Sequence, residues 1–165
     1  MTLKPANYKY RRTNGTSLTG GKKMGLVYAE IEISNLEDLI LNRHGILPES
    51  EIRLVKTKAL VDCGALDLVI NEEARQRLDL PSQGKRAVKL ADETIRYFDM
   101  VGPVEVRFES RTTIVNALVI PQTDEILLGA IPMEGLDVFI DPARERLVVN
   151  PESPDIPMSK VKRVA

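Results

Sequence analysis

One stretch of the sequence, residues 59–70, places an acidic residue between two apolar runs. Its first half has the pattern of a buried strand and leads directly into Asp62, and a second apolar run begins at Leu68. Gly64, between the two runs, favours a sharp turn. An ionised carboxylate that leaves water destabilises a protein strongly unless it is paired or protonated. We therefore expect Asp62 to have either a structural partner or a chemical role.

The size and composition of the chain fit one globular domain. A chain of 165 residues has room for a single hydrophobic core. Its 43% hydrophobic and 28% charged residues are typical of soluble globular proteins and exclude a disordered or fibrous chain. We expect a domain over residues 24–150, a basic flexible segment over residues 1–23 and a flexible tail over residues 151–165.

The distribution of charge argues against nucleic acid as a partner. Residues 1–23 contain six Lys or Arg and no acid, although the whole chain has a net charge of −1, so the remainder is acidic. An acidic core, in a chain with four Tyr and three Phe in all, offers a poor surface to nucleic acid. The sequence has no run of about 18 apolar residues that would span a membrane, and the single Cys63 fits a reducing compartment. We expect a cytoplasmic protein without a membrane partner.

Short apolar runs with the periodicity of strands dominate the predicted domain. Every second residue from Val27 to Ile33 is apolar, which is the period of a half-buried strand. The predicted strands are residues 24–34, 51–61, 68–70, 87–91, 95–101, 104–109, 112–120, 137–140 and 146–150. The sequence therefore predicts an all-β barrel or sandwich.

Helix is the minority element in this pattern. Asn71 precedes residues 72–78 as a capping residue, with acids in the first turn and bases in the last. Residues 131–136 are expected to form one further helical turn. We interpret residues 35–50 as a loop that contains up to one helical turn. A turn is expected at residues 82–84 and a break between strands at residues 102–103.

Conventional catalytic and metal sites are missing from the sequence. His44 and Cys63 are the sole residues of their types, so no spacing of ligands exists that would hold Zn²⁺. There is no Gly-rich loop between a strand and a helix to hold a phosphate. A Cys63–His44 catalytic pair is conceivable, but nothing supplies the third group that would orient the histidine. We expect neither a metal nor another cofactor.

Asp62 belongs to an ordered set of motifs that resembles the retropepsin-like aspartic proteases, in particular the short bacterial proteins of that clan. Ala59-Leu60-Val61-Asp62-Cys63-Gly64-Ala65 corresponds to the family's Ala-Leu-Val-Asp-Thr-Gly-Ala, with Asp-Cys-Gly in place of Asp-Thr-Gly. A hairpin around Leu90-Ala91-Asp92 has the position of the flap. Ile126-Leu127-Leu128-Gly129 has the position of the apolar motif that ends in Gly, and residues 131–142 are similar to a segment of the bacterial group. The resemblance covers residues 24–151.

This resemblance implies a fold and a mechanism. It implies a retropepsin-like closed β-barrel with one or two short helices, and a catalytic site in which two carboxylates share one proton. The chain contains one motif of this kind. An active site therefore requires a homodimer, with one Asp62 from each subunit at the two-fold axis. The implied activity is that of an aspartic endopeptidase on peptide or protein substrates.

The resemblance also implies roles for individual residues. Asp62 corresponds to the catalytic carboxylate, and Gly64 allows the substrate backbone to come close. The hairpin of residues 87–101 corresponds to a flap that closes over the peptide. The other implied site residues are Cys63 and Ala65 in the active-site loop, Asp67, Ala91, Asp92, Glu93 and Thr94 for substrate and flap, and Leu127, Leu128 and Gly129 as support.

Three features depart from the family pattern. Thr or Ser usually follows the Asp and donates a hydrogen bond across the dimer, whereas Cys63 has a weak S–H donor. Viral members have an acid soon after Gly-Ala and an Arg after the second motif's Gly. Leu66 and Ala130 occupy these positions here, and Asp67 is the nearby acid. The flap tip, residues 92–94, contains no Gly.

Two alternatives stay open at the level of sequence. The chain could be a retropepsin-like module that binds peptide or dimerises without cleaving, a reading with which Cys63 is consistent. It could also be a small β-barrel in which Asp62 has a structural role as a turn residue. Both alternatives share the fold expected of the protease and differ from it in chemistry.

Overall fold

The computed structural model describes residues 25–161, so the predicted basic segment over residues 1–23 and the last residues of the predicted tail lie outside the described residues. The strands are β1 (Tyr28–Asn35), β2 (Leu54–Val61), β3 (Leu68–Ile70), β4 (Ser82–Lys89), β5 (Ile95–Phe108), β6 (Arg111–Val119), β7 (Leu127–Leu128), β8 (Val138–Asp141) and β9 (Arg146–Val149). The helices are α1 (Leu36–Arg43), α2 (Glu72–Leu78) and α3 (Ala130–Leu136), with a 3-10 turn at Glu49–Glu51. The described chain is mostly β-sheet with few helices, which confirms the predicted all-β class.

The nine strands of residues 25–161 belong to one sheet, in the order β4-β5-β6-β3-β7-β2-β1-β9-β8, and β1 also pairs with β5. Strand β1 is antiparallel to β2, with Ala29 opposite Ala59. Strand β7 is parallel to β2 and antiparallel to β3. Because β7 lies between β2 and β3, the loop of residues 62–67 that joins those two strands must pass the end of β7. The sheet order therefore positions this loop.

Apolar residues that alternate along β1 and β2 contribute to the core. Ile33 and Ala59 are completely buried, and they belong to one cluster with residues of β5, β6 and α2. The alternation fixes the register of the strands, because a slip of one residue would turn every core side chain of a strand toward solvent. The strand predicted from the alternation in residues 24–34 is confirmed.

Residues 36–43 form the two-turn helix α1, and the predicted loop was wrong. The Asn35 side chain caps the helix by accepting hydrogen bonds from the backbone N–H groups of Glu37 and Asp38. The sequence contains helix signals here, with Leu36, Leu39 and Ile40 at helical spacing after the capping Asn35, but the nearby Gly45 and Pro48 favour a loop. The buried residue of this helix is the acid Asp38. Helix α3 is likewise longer than the single turn predicted.

In the described part of the chain, no helix has the length and apolar character needed to span a membrane.

The predicted hairpin is present and longer than expected. Strand β4 begins at Ser82, inside the predicted turn, and β5 continues through Gly102 and Pro103, where a break was predicted. A register shift against β6 absorbs these two residues as a bulge, where a missing N–H is tolerated. Gly102 is required there because its φ is +144° and a Cβ atom would stand 2.5 Å from Asn116 Oδ1.

An ion pair joins α1 to the start of β2. Asp38, which is 3% exposed, accepts hydrogen bonds from the Arg53 backbone N–H at 2.9 Å, Nε at 2.8 Å and Nη2 at 2.6 Å. Arg53 also contacts Asp79 Oδ2 at 2.7 Å. The hydrogen bonds from Arg53 hold the pKa of Asp38 below its ordinary value, against the opposing effect of burial. Helix α1 is therefore fastened to the sheet by a largely desolvated carboxylate.

We predict that Asp38→Asn lowers the free energy of unfolding by about 2 kcal/mol at neutral pH, because Arg53 loses its buried partner. Asp79→Asn is the matched control. It removes the other carboxylate of Arg53, whose side chain is 80% exposed, and should lower the free energy by less than about 1 kcal/mol. Urea titrations measure both differences. Equal losses of unfolding free energy in Asp38→Asn and Asp79→Asn would contradict the prediction that the buried carboxylate of Asp38 contributes more than the exposed one of Asp79.

The same pair predicts a dependence on pH. A carboxyl group whose pKa is lowered by folding stabilises the native state above its unfolded pKa, and this contribution disappears as the pH falls through the folded pKa. The difference in unfolding free energy between wild type and Asp38→Asn should therefore shrink below about pH 4. A difference that stays constant into stronger acid would contradict the assigned charge interaction.

Candidate active site

Asp62 stands directly at the end of β2, where the sheet fixes its backbone. Leu60 and Val61 pair with the two residues of β7. The backbone N–H of Asp62 then donates to the carbonyl of Leu128 at 3.1 Å. This bond extends the ladder by one residue, so the position of the acid is set by strand pairing and not by a free loop.

The turn after Asp62 holds its carboxylate through one oxygen. Gly64 donates its backbone N–H to Asp62 Oδ1 at 2.7 Å, and Ala65 donates to the Asp62 carbonyl at 3.2 Å. A Cβ atom at Gly64 would stand 3.0 Å from Oδ1, closer than a side chain usually tolerates. Among residues 25–161, no hydrogen bond reaches the other oxygen, Oδ2. The carboxylate is therefore oriented and still has an acceptor atom available.

Gly129 lets the loop of residues 62–67 lie directly on the end of β7. A Cβ atom at this position would stand 2.2 Å from the carbonyl oxygen of Asp67 and 2.9 Å from that of Ala65. Both obstacles are backbone atoms, so no side-chain rotation would relieve them. Ala130, the next residue, donates its backbone N–H to the Ala65 carbonyl at 2.9 Å. Gly129 makes this contact directly after β7, which consists of Leu127 and Leu128, and a supporting role for the three residues stays a prediction.

Cys63 lies in the turn beside the acid and is exposed. Partial burial of its sulfur, and secondarily the charge of Asp62, raise the pKa of the thiol above its ordinary value. The thiol is therefore protonated at neutral pH and retains its weak S–H donor. A protonated thiol is also a poor nucleophile, which argues against the conceivable catalytic pair with His44.

The predicted flap tip is ordered by polar side chains in place of Gly. Asp92 Oδ1 accepts hydrogen bonds from the backbone N–H of Thr94 at 3.0 Å and from its hydroxyl at 2.6 Å, and these bonds lower the pKa of Asp92. Leu90 donates its N–H to the Thr94 carbonyl at 2.8 Å. Glu93 adopts the left-handed φ of +67° that Gly would otherwise supply. Ala91, the remaining predicted tip residue, is exposed in the same turn.

One contact was missed by the sequence reasoning. Arg86 of β4 places Nη1 at 2.5 Å and 2.7 Å from the two carboxylate oxygens of Asp67. The sequence identifies Asp67 as the nearby acid, but Arg86 lies outside the predicted strand of residues 87–91. A longer strand prediction would have placed Arg86 on the same side of β4 as Val88. The structure thus joins the hairpin to the last residue of the active-site loop.

The face of the hairpin that carries Arg86 also carries apolar side chains, together with Arg96 opposite Val88. Val88 and Phe98 are half-buried and pack against a small cluster that is separate from the main core. The buried members of this cluster are Val69, Met100 and Leu118, and its other partly buried members are Ile120 and Leu127. Leu127 belongs to β7, beside the strand that carries Asp62. An apolar wall therefore adjoins the acidic turn.

Residues 51–130 match a family model described as aspartyl protease. The matched range contains the turn at Asp62, the whole hairpin and the contact at Gly129. The match supports an aspartyl protease family and, at this coarse level, a hydrolase that acts on peptide bonds. No curated protein matches the chain. The assignment to the short retropepsin-like type and the functional meaning of Asp-Cys-Gly stay predictions.

Within residues 25–161, no group of three or more His, Cys, Asp or Glu side chains is arranged to hold a metal ion. The acids of the loop after Asp62 and of the hairpin tip have other partners. Asp67 is bound to Arg86, and Asp92 is bound to Thr94. The arrangement offers one oriented carboxylate, an adjoining apolar wall and a hairpin linked to both.

Proposed function

We propose that the protein is a homodimeric, retropepsin-like aspartic endopeptidase in which Asp62 from each of two subunits forms the catalytic dyad. The observation that carries the proposal is the state of the Asp62 carboxylate. It is fixed by the end of β2 and oriented through Oδ1 by Gly64. Its second oxygen forms no hydrogen bond within the described chain. Asp62 also lies within residues 51–130, which match the aspartyl protease family model, and this supports a catalytic role over that of a turn residue.

The chemistry of peptide hydrolysis requires the second subunit. One carboxylate takes a proton from water, whose oxygen attacks the scissile carbonyl carbon. The other, protonated, carboxyl group donates its proton to the carbonyl oxygen. The tetrahedral intermediate then releases the amine as the carbon–nitrogen bond breaks and the nitrogen gains a proton. The sequence has one Asp-Cys-Gly motif and no Asp-Thr-Gly or Asp-Ser-Gly, so the second carboxylate is assigned to a second copy of the chain.

Apolar surface beside the turn supports this assembly. Leu66 is 59% exposed and Ile131 is 42% exposed. The backbone N–H of Ile131 donates to the Leu66 carbonyl at 2.9 Å, so the two residues are neighbours. We place both at the dimer interface, where a second copy would remove them from water. We also propose that the pairing of β1 with β5 closes the central strands into the barrel expected of the family.

The proposed substrate is an extended peptide or protein segment. The hairpin of β4 and β5 would act as the flap, with Ala91, Asp92, Glu93 and Thr94 at its tip. The half-buried Val88 and Phe98 would line the binding cleft. No cofactor takes part, and activity is expected to be highest at mildly acidic pH, where one proton is shared by the dyad. We propose a cytoplasmic location and no nucleic-acid partner.

We predict that Asp62→Asn abolishes cleavage of a mixed peptide library between about pH 4 and pH 7, with a loss of at least about 10³-fold in rate. Asp124→Asn, in an exposed loop within the matched range, is the control and should keep wild-type activity. Pepstatin-type inhibition of the wild type should accompany the cleavage. Unchanged cleavage by Asp62→Asn would reject the mechanism. A wild type that binds peptides and cleaves none would favour the non-cleaving module.

A second prediction concerns the residue after the acid. The Thr hydroxyl is a stronger donor than a thiol, so Cys63→Thr should tie the two turns together more firmly and raise kcat by about fivefold. It should also remove any inhibition by peroxide. Cys63→Ala, which has no donor, should be slower than wild type. Equal rates for the Thr and Ala variants would show that a donor at this position is irrelevant to catalysis.

A further inference from the structure

Arg86 is the one charged residue of the hairpin that binds the active-site loop in the described structure. Its Nη1 atom lies 2.5 Å and 2.7 Å from the two oxygens of Asp67. The Asp67 side chain is 11% exposed, whereas that of Arg86 is 42% exposed. The carboxylate is thus largely removed from water, and its charge requires the guanidinium.

Asp67, the partner of Arg86 in the active-site loop, is held in place by its neighbours. Its carbonyl oxygen lies against Gly129, at the site where a Cβ atom would be 2.2 Å away. Leu68, the next residue, is completely buried at the start of β3. A cation bound to this carboxylate is therefore attached to the rigid part of the site.

Strand β4 of the hairpin, in contrast, has few attachments of its own. Strand β4 is the last strand of the sheet order and pairs with β5 alone. Every residue of β4 except Val88 is exposed. The contact of Arg86 with Asp67 is therefore a tether between an edge strand and the catalytic turn.

We infer that Arg86 is a positioning residue, which holds the flap in its closed position over the active site by binding Asp67. The inference rests on the proposed function for its catalytic meaning. Arg86 contacts no reacting atom in this arrangement and acts through the flap. Entry of a peptide requires the hairpin to move away, and this movement breaks the ion pair.

Loss of the tether should affect binding more than chemistry. Apparent affinity falls by the fraction of molecules that hold the binding-competent conformation. Without Arg86, the closed flap is less populated, so KM should rise by about tenfold while kcat changes by less than about twofold. The ion pair uses a single nitrogen of Arg86 and not both arms of the guanidinium. A lysine ammonium can replace one nitrogen, so Arg86→Lys should retain most of the wild-type affinity.

The test compares Arg86→Gln, Arg86→Lys, Asp67→Asn and the double variant Arg86→Gln with Asp67→Asn. The two single neutral variants should raise KM alike, and the double variant should raise it no further, because both remove one interaction. Lys85→Gln is the matched control. Lys85 is the adjacent residue, points to the other face of β4 and contacts Asp99 at 2.9 Å, so its loss should leave KM unchanged.

Hydrogen exchange of the hairpin amides gives a second readout that needs no activity. Exchange in residues 84–98 should be faster in Arg86→Gln than in wild type and Lys85→Gln, and close to wild type in Arg86→Lys. If the wild type cleaves peptides but Arg86→Gln and Lys85→Gln have equal KM, the inference is overturned and the protease assignment stands. If the wild type cleaves nothing, the protease assignment fails, and the exchange rates decide the tether: equal rates in Arg86→Gln and Lys85→Gln overturn it.

Discussion

The site depends on the parallel pairing of β2 with β7. That pairing carries the backbone of β2 one residue beyond the strand, where the Asp62 N–H reaches the Leu128 carbonyl. The following loop can then cross the end of β7 because Gly129 leaves room for two backbone carbonyls. Without this close approach, the acid would lie on an unsupported turn. The site therefore depends jointly on the order of the strands, on Gly129 and on the position of Asp62 after β2.

Hydrogen bonds and charges around Asp62 add to the support that strand pairing gives to its backbone. The backbone of the turn satisfies one oxygen of Asp62, and the described chain brings no second carboxylate to share its proton. The neighbouring acid, Asp67, is neutralised by Arg86 from the hairpin. One carboxylate is thus left available for chemistry, while the other links the flap to the loop. In the proposed mechanism a second subunit would supply the other half of the dyad, and the hairpin would supply the cover that excludes water.

Periodic and motif-bearing parts of the molecule were predictable from the sequence. The alternation along β1 identifies its buried face, and the run into Asp62 places the acid at a strand end. Three errors have physical causes. Helix α1 is short and is followed closely by Gly45 and Pro48, which favour a loop. The first residues of β4 are exposed and so carry no alternation, and the bulge at Gly102 lets β5 continue past a proline. The contact between Arg86 and Asp67 joins residues 19 positions apart, and no local pattern encodes it.

The central claim is that each active site contains Asp62 from two copies of the chain. Mixing wild-type and Asp62→Asn subunits in equal amounts, under conditions that exchange subunits, tests it most directly. If both carboxylates are required and pairing is random, activity should fall to about one quarter of that of the same total amount of wild-type protein. Activity of about one half would mean that each chain works alone, and it would contradict the shared dyad.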